Sequence, residues 1–107
     1  MDDLQVSVQE VSARIARGEK LLLVDVREPW EFALCKLPGA TLIPLGSLPA
    51  NLNALLDAGE VICYCHHGMR SLDAAAWLRQ QGVENAKSMA GGIERWSSEI
   101  DSSVARY

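Results

Sequence analysis

The apolar positions of this chain fall into short continuous runs separated by stretches of helical spacing. Leu21-Leu22-Leu23-Val24-Asp25-Val26 is nearly unbroken and too short for an independent helix. It predicts a strand covered on both faces, as in a parallel sheet. Val61-Ile62-Cys63-Tyr64 predicts a second buried strand, and Ala86-Lys87-Ser88-Met89 a short final one. Thr41-Leu42-Ile43-Pro44 reads as a short strand ended by its proline, and Leu4-Gln5-Val6 is the candidate edge strand. Between these runs the period changes. Val8, Val11 and Ile15 follow the capping-box sequence Ser7-Val8-Gln9-Glu10, and Gly18 closes that helix. Residues 28–34 predict a short helix with Pro29 in its first turn. Leu48, Leu52, Leu55 and Leu56 mark another helical face ending near Gly59, and Leu72, Ala75, Ala76 and Leu78 one that stops at Gly82. Gly91-Gly92 opens a last helix carrying Ile93 and Trp96. Trp30, Trp77 and Trp96 are expected in the core or at its edge. Strands alternating with helices predict an α/β domain with a mostly parallel sheet, whose ligands bind beyond the carboxyl ends of the strands.

Composition narrows this picture. A length of 107 residues suits one domain, here 1–107, with a core over about 4–100 and a tail over 101–107 that shows no periodicity and is assigned no chemistry. With 49% hydrophobic residues and 22% charged, the chain is not disordered. No apolar run approaches the roughly 20 residues of a membrane-spanning helix. The acidic start, Met1-Asp2-Asp3, does not resemble a secretory signal. A net charge of -4 argues against nucleic acid as a partner. Three cysteines make no disulfide framework, so a reducing, cytoplasmic setting is expected, in which each cysteine is either a buried apolar residue or a reagent.

Cys65 is the candidate reagent. It stands where a central strand ends and a helix is about to begin, in the segment Cys65-His66-His67-Gly68-Met69-Arg70-Ser71. Gly68 lets the backbone curl so that several N–H groups face inward and form a nest for negative charge. The following helix adds its positive end and Arg70 adds a full cation. Settings of this kind lower a cysteine pKa from about 8.5 into the range of about 3.5–7.5, and a thiolate exposed at the sheet's ligand-binding edge is a nucleophile. The bland alternative for Cys65 is a buried structural thiol. For Cys63, inside an apolar strand, plain packing is expected, and for Cys35 a partly buried helix end.

The Cys65–Ser71 segment resembles the active-site loop of the rhodanese family, the thiosulfate sulfurtransferases. Asp25-Val26-Arg27-Glu28-Pro29 followed by Glu31-Phe32 is similar to that family's first signature, Pro38-Gly39-Ala40 to its second, and Gly91-Gly92-Ile93 with Trp96 to its C-terminal one. The motifs occur in the family's order, and the likeness is to its small single-domain members. Where the family commonly has Gly-His before Leu37, this chain has Cys35 and Lys36. The resemblance implies a three-layer rhodanese-like domain and a ping-pong transfer without a cofactor. The Cys65 thiolate takes the outer sulfur of thiosulfate, or of a persulfide donor, and passes it to a thiophilic acceptor such as cyanide or a thiol. It further implies that His66, His67, Gly68, Met69 and Arg70 form the anion cradle, with Arg70 holding the donor's sulfonate. Asp25 and Arg27, with Ser71, would support the loop. The partners implied are a small-molecule donor and acceptor or a protein of a sulfur relay, with the chain itself a monomer or weak dimer.

Rival readings remain. Four residues lie between Cys65 and Arg70, whereas phosphatases and arsenate reductases of the same fold have a longer loop, so sulfur chemistry is favoured. A carrier or sensor that passes persulfide only within a relay, and a binding module, are the others. Cys63, Cys65, His66 and His67 match no usual zinc spacing, so no metal site is expected. His66 and His67 are expected at the loop rim rather than as bases. Gly91-Gly92 is attributed to close backbone approach rather than to phosphate binding.

Overall fold

In the computed structural model, which describes residues 3–107, five strands form one parallel sheet. In chain order the elements are β1 (Gln5–Val6), α1 (Val8–Ala16), β2 (Leu22–Asp25), α2 (Pro29–Leu34), β3 (Thr41–Leu42), α3 (Leu52–Leu56), β4 (Val61–Tyr64), α4 (Met69–Gln80), β5 (Ala86–Met89) and α5 (Gly92–Glu99). Two 3₁₀ turns, Leu45–Ser47 and Pro49–Asn51, lead into α3. The strand order is β1-β5-β4-β2-β3. The central pair, β2 and β4, runs in register from Leu22 beside Val61 to Asp25 beside Tyr64.

Alternation along the strands divides the core into two layers. Val24, Val61 and Cys63 pack with Leu48, Leu55, Ala74, Ala75 and Leu78, from the α3 and α4 side. Leu23, Ile62 and Tyr64 pack with Val8, Val11, Ile93 and Trp96, from the α1 and α5 side. Helices therefore cover both faces, which is why the central strands read as apolar runs rather than as alternating ones.

Local signals account for most boundaries. The Ser7 hydroxyl accepts the backbone N–H of Glu10 at 3.0 Å and starts α1. Helix α4 begins at Met69, earlier than its apolar spacing implied, so Arg70 and Ser71 lie in its first turn. The predicted strand over 41–44 is shorter, because beyond Leu42 the chain turns at Pro44 into the first 3₁₀ turn. Leu48 and Leu55 are buried, but Leu56 is exposed. Trp30 departs from expectation: it is 61% exposed, whereas its neighbour Glu31 is 3% exposed. The six-residue α2 turns its carboxylate inward and its indole outward. The tail, although it shows no periodicity, is anchored. Val104 is buried, and its carbonyl accepts the Ser97 hydroxyl at 2.6 Å.

Candidate active site

Strand β4 delivers Cys65 to the carboxyl edge of the sheet, and the 65–68 segment curls before α4 starts. The Cys65 Sγ accepts the backbone N–H of Gly68 at 3.1 Å and of Ser71 at 3.3 Å, and lies 3.5 Å from the Ser71 hydroxyl. Two backbone donors and the first turn of a twelve-residue helix thus face one sulfur. Gly68 makes the curl possible with φ of 107°, a conformation that L side chains rarely adopt. The Ser71 hydroxyl sits 2.7 Å from the Ser88 hydroxyl on β5, tying the loop to the sheet.

The start of α5 holds the loop from the other side. Ile93 N–H donates to the Cys65 carbonyl at 2.9 Å, and Glu94 N–H to the His66 carbonyl at 3.1 Å. A Cβ on Gly92 would overlap both carbonyls, and its φ of 62° also favours glycine. Close backbone approach is therefore the reason for this glycine, as expected from the sequence.

Cys65 itself is 1% exposed, which corrects the expectation of an exposed thiol. The Tyr107 ring stacks on His66 at 3.9 Å between centroids, and His66 stacks on His67 at the same spacing. Burial lowers the pKa of His66. The Tyr107 hydroxyl donates to Glu31 Oε2 at 2.6 Å and accepts from Arg27 Nη1 at 2.9 Å. Burial and that bond to Glu31 push its phenol up to about 12.

Glu31 is the hub of the surrounding charges. Arg70 binds it through both guanidinium arms, Nη1 to Oε1 at 2.7 Å and Nη2 to Oε2 at 2.9 Å. The Glu28 N–H donates to Oε1 at 2.9 Å. Hydrogen bonding to Arg70 outweighs burial and holds the Glu31 carboxyl down at about 2. Asp25 and Arg27 are both fully buried and paired with each other, Arg27 Nε to Oδ1 at 2.9 Å and Nη2 to Oδ2 at 2.6 Å. Arg27 also donates to the Cys35 carbonyl at 2.6 Å. Its link to the 65–71 loop runs through Tyr107, Glu31 and Arg70.

Thus Cys65, Gly68 and Ser71 meet at one sulfur, the rings of His66 and His67 stack on each other, and Met69 is 74% exposed. Arg70 lies beside the loop with its guanidinium on Glu31. Glu31, Tyr107, Ser88 and Glu94 join the site without having been singled out. Glu31 stood inside a motif, but nothing local marked it as buried. Tyr107 lies 76 positions from Glu31 in a segment without periodicity, and carried no signal. His66, His67 and Glu94 place potential metal-ligand atoms within 4.8 Å of one another. Within that cluster Glu94 Oε2 binds Arg106, whereas His66 Nε2 is buried without a hydrogen-bond partner, 3.8 Å from Glu94 Oε1.

Cys63 contrasts with Cys65. It accepts no such donors, and burial, with the neighbouring Cys65 charge, pushes its thiol up to about 12.

Comparison with known proteins gives one answer. The profile of the rhodanese-like domain matches residues 7–99. A sulfurtransferase of Allochromatium vinosum is 34% identical over 93 residues, covering 87% of each chain. A putative sulfur carrier protein of Bacillus subtilis, YrkF, is 29% identical over 97 residues, of which this chain spans 52% of the length. The Staphylococcus saprophyticus protein SSP1007 shares the structure with a TM-score of 0.82 and 32% identity, covering 95% of this chain and 98% of that one. The human single-domain sulfurtransferase TSTD1 does so with a TM-score of 0.76 and 25% identity, covering 92% and 98%.

Proposed function

The chain belongs to the family of rhodanese-like domains, and from that premise we propose that it transfers sulfane sulfur through a persulfide on Cys65. The observation that carries the proposal is the pair of backbone N–H groups, of Gly68 and Ser71, directed at the Cys65 sulfur. Donors fixed in that position stabilise a negative sulfur before reaction and after it. The thiolate attacks the outer sulfur of the donor. The bond from that sulfur to its old partner breaks, and the pair leaves with sulfite when the donor is thiosulfate, or with a thiolate when it is a persulfide. A thiophilic acceptor, cyanide or a thiol, then takes the outer sulfur and regenerates Cys65. The 66–70 backbone is the anion cradle, with His66, His67 and Met69 at its rim. Arg70 stands beside it with its guanidinium on Glu31. Ser71, Asp25 and Arg27 hold the arrangement, the last two through Tyr107 and Glu31. The attacking form is the thiolate, which the two backbone donors stabilise.

A relay role, in which the acceptor is a thiol of a partner protein, is favoured by the apolar rim. Met69 and Trp30 are 74% and 61% exposed beside the cradle, and Trp30 meets Tyr107 edge-on. The likeness to a putative sulfur carrier agrees with it.

Steady-state kinetics test the route. With donor and acceptor both varied, double-reciprocal plots are parallel for a two-step transfer through an enzyme persulfide. Intersecting lines, which require donor and acceptor bound together, would exclude it.

A further inference from the structure

The charges around Cys65 bear on which sulfane-sulfur donor it accepts, an inference that rests on the persulfide route. A thiolate repels an anionic donor, and a dianion needs an unmatched cation at the mouth to offset that. Among the described residues, each guanidinium bordering the site already has its carboxylate. Arg27 is on Asp25, Arg70 on Glu31 and Arg106 on Glu94. Burial weakens protonation of His66, the ring packed between His67 and Tyr107. Arg70 is the informative case, because it alone adjoins the cradle from within the loop and keeps 37% of its side chain exposed. Both its arms are taken by a carboxylate that is itself fixed by the Tyr107 hydroxyl and the Glu28 N–H. The rim of Met69, Trp30 and Tyr107 is apolar surface, on which dehydrating a dianion is costly.

We propose that Glu31, by neutralising Arg70, sets the site for sulfane-sulfur donors of at most one negative charge, such as persulfides borne on a thiol, over the dianion thiosulfate. Glu31 is a specificity-determining residue acting through Arg70, not a group that touches the reacting sulfur. The chemistry stays balanced with either class. A hydropersulfide gives Cys65 its outer sulfur and proton and leaves as a thiolate. Thiosulfate gives its outer sulfur and leaves as sulfite, with Cys65 then an anionic persulfide.

Rates of sulfur loading on Cys65, read by intact mass, test this with two donors that differ by one charge: thiosulfate and methanethiosulfonate. The comparison is between proteins, so the donors' unequal leaving groups cancel. Glu31→Gln adds one net positive charge at the mouth. It is expected to speed loading about tenfold with the dianion and about threefold with the monoanion, because the interaction scales with donor charge. Glu31→Asp keeps the charge and is expected to leave the ratio of the two donors within about twofold of wild type, which separates charge from packing. In the wild type, thiosulfate loading is expected not to slow when ionic strength rises from about 0.02 to 0.3 M, since no net attraction is there to screen. Equal acceleration of both donors by Glu31→Gln would overturn the inference. So would a steep fall of wild-type thiosulfate loading with salt. Failure of every donor, persulfides included, to place sulfur on Cys65 would remove the persulfide route itself, and the charge rule with it.

Discussion

Cys63 and Cys65 stand two positions apart at the end of the same central strand, and neither is more than 1% exposed. They pack into the same layer of the core. What differs is the backbone around them. Cys63 sits inside β4, where the neighbouring N–H groups are spent on the sheet ladder, and burial raises its thiol to about 12. Cys65 lies one residue past the last strand position, where the ladder ends and the curled loop turns the N–H groups of Gly68 and Ser71 onto the sulfur. Burial alone makes a cysteine inert. Burial with directed donors makes a place for negative charge.

The strongest way to break this contrast is to disturb the loop without touching either cysteine. Gly92→Ala would force a methyl group against the carbonyls of Cys65 and His66 in a left-handed backbone conformation. A loss of about 3 kcal/mol is expected from overpacking and backbone strain, with a melting temperature lower by about 10 °C or more. Sulfur loading should fall with it, since the same carbonyls anchor the nest. Thermal melts and loading rates check both. Unchanged values would mean that α5 does not hold the loop.

A smaller effect is expected from the charge hub. The folded-state pKa of Glu31, about 2, lies below its ordinary 4.5. Its contribution to stability is therefore complete above pH 4.5 and is lost as pH falls toward 2. Urea midpoints between pH 2 and 7 should drop on the acid side in the wild type and drop less in Glu31→Gln. Parallel acid limbs would mean that the ion pair with Arg70 adds nothing to folding.

The smallest effect belongs to Cys63. Cys63→Ala should cost about 1–2 kcal/mol, from lost packing and a small residual cavity. It should leave sulfur loading within about twofold of wild type. A large loss of loading in a well-folded variant would erase the distinction between the two cysteines.

Much of this was legible along the chain because the signals are local. The strands showed as apolar runs, and the reactive loop as a cysteine followed by Gly68 at a strand-to-helix junction. Gly92 was readable as close approach, although not what it approaches. The charge pairing was not legible. Glu31 meets Arg70 across 39 positions and Tyr107 across 76, and nothing periodic connects them. Hydrophobicity also misled at α2, where Trp30 faces out and Glu31 faces in. In so short a helix, one bidentate ion pair with further hydrogen bonds outweighs the burial of an indole. The tail failed for the same reason. Tyr107 is held by specific polar and ring contacts rather than by a pattern.

The most direct test of the account is intact mass after incubation of the reduced protein with sulfane-sulfur donors, on wild type and Cys65→Ser. A gain of one sulfur atom is expected in the wild type alone, removed by cyanide, with Cys65→Ser folded but unloaded. Sulfur retained in folded Cys65→Ser, on Cys63 or Cys35, would contradict it, as would a wild type that takes up no sulfur from any donor.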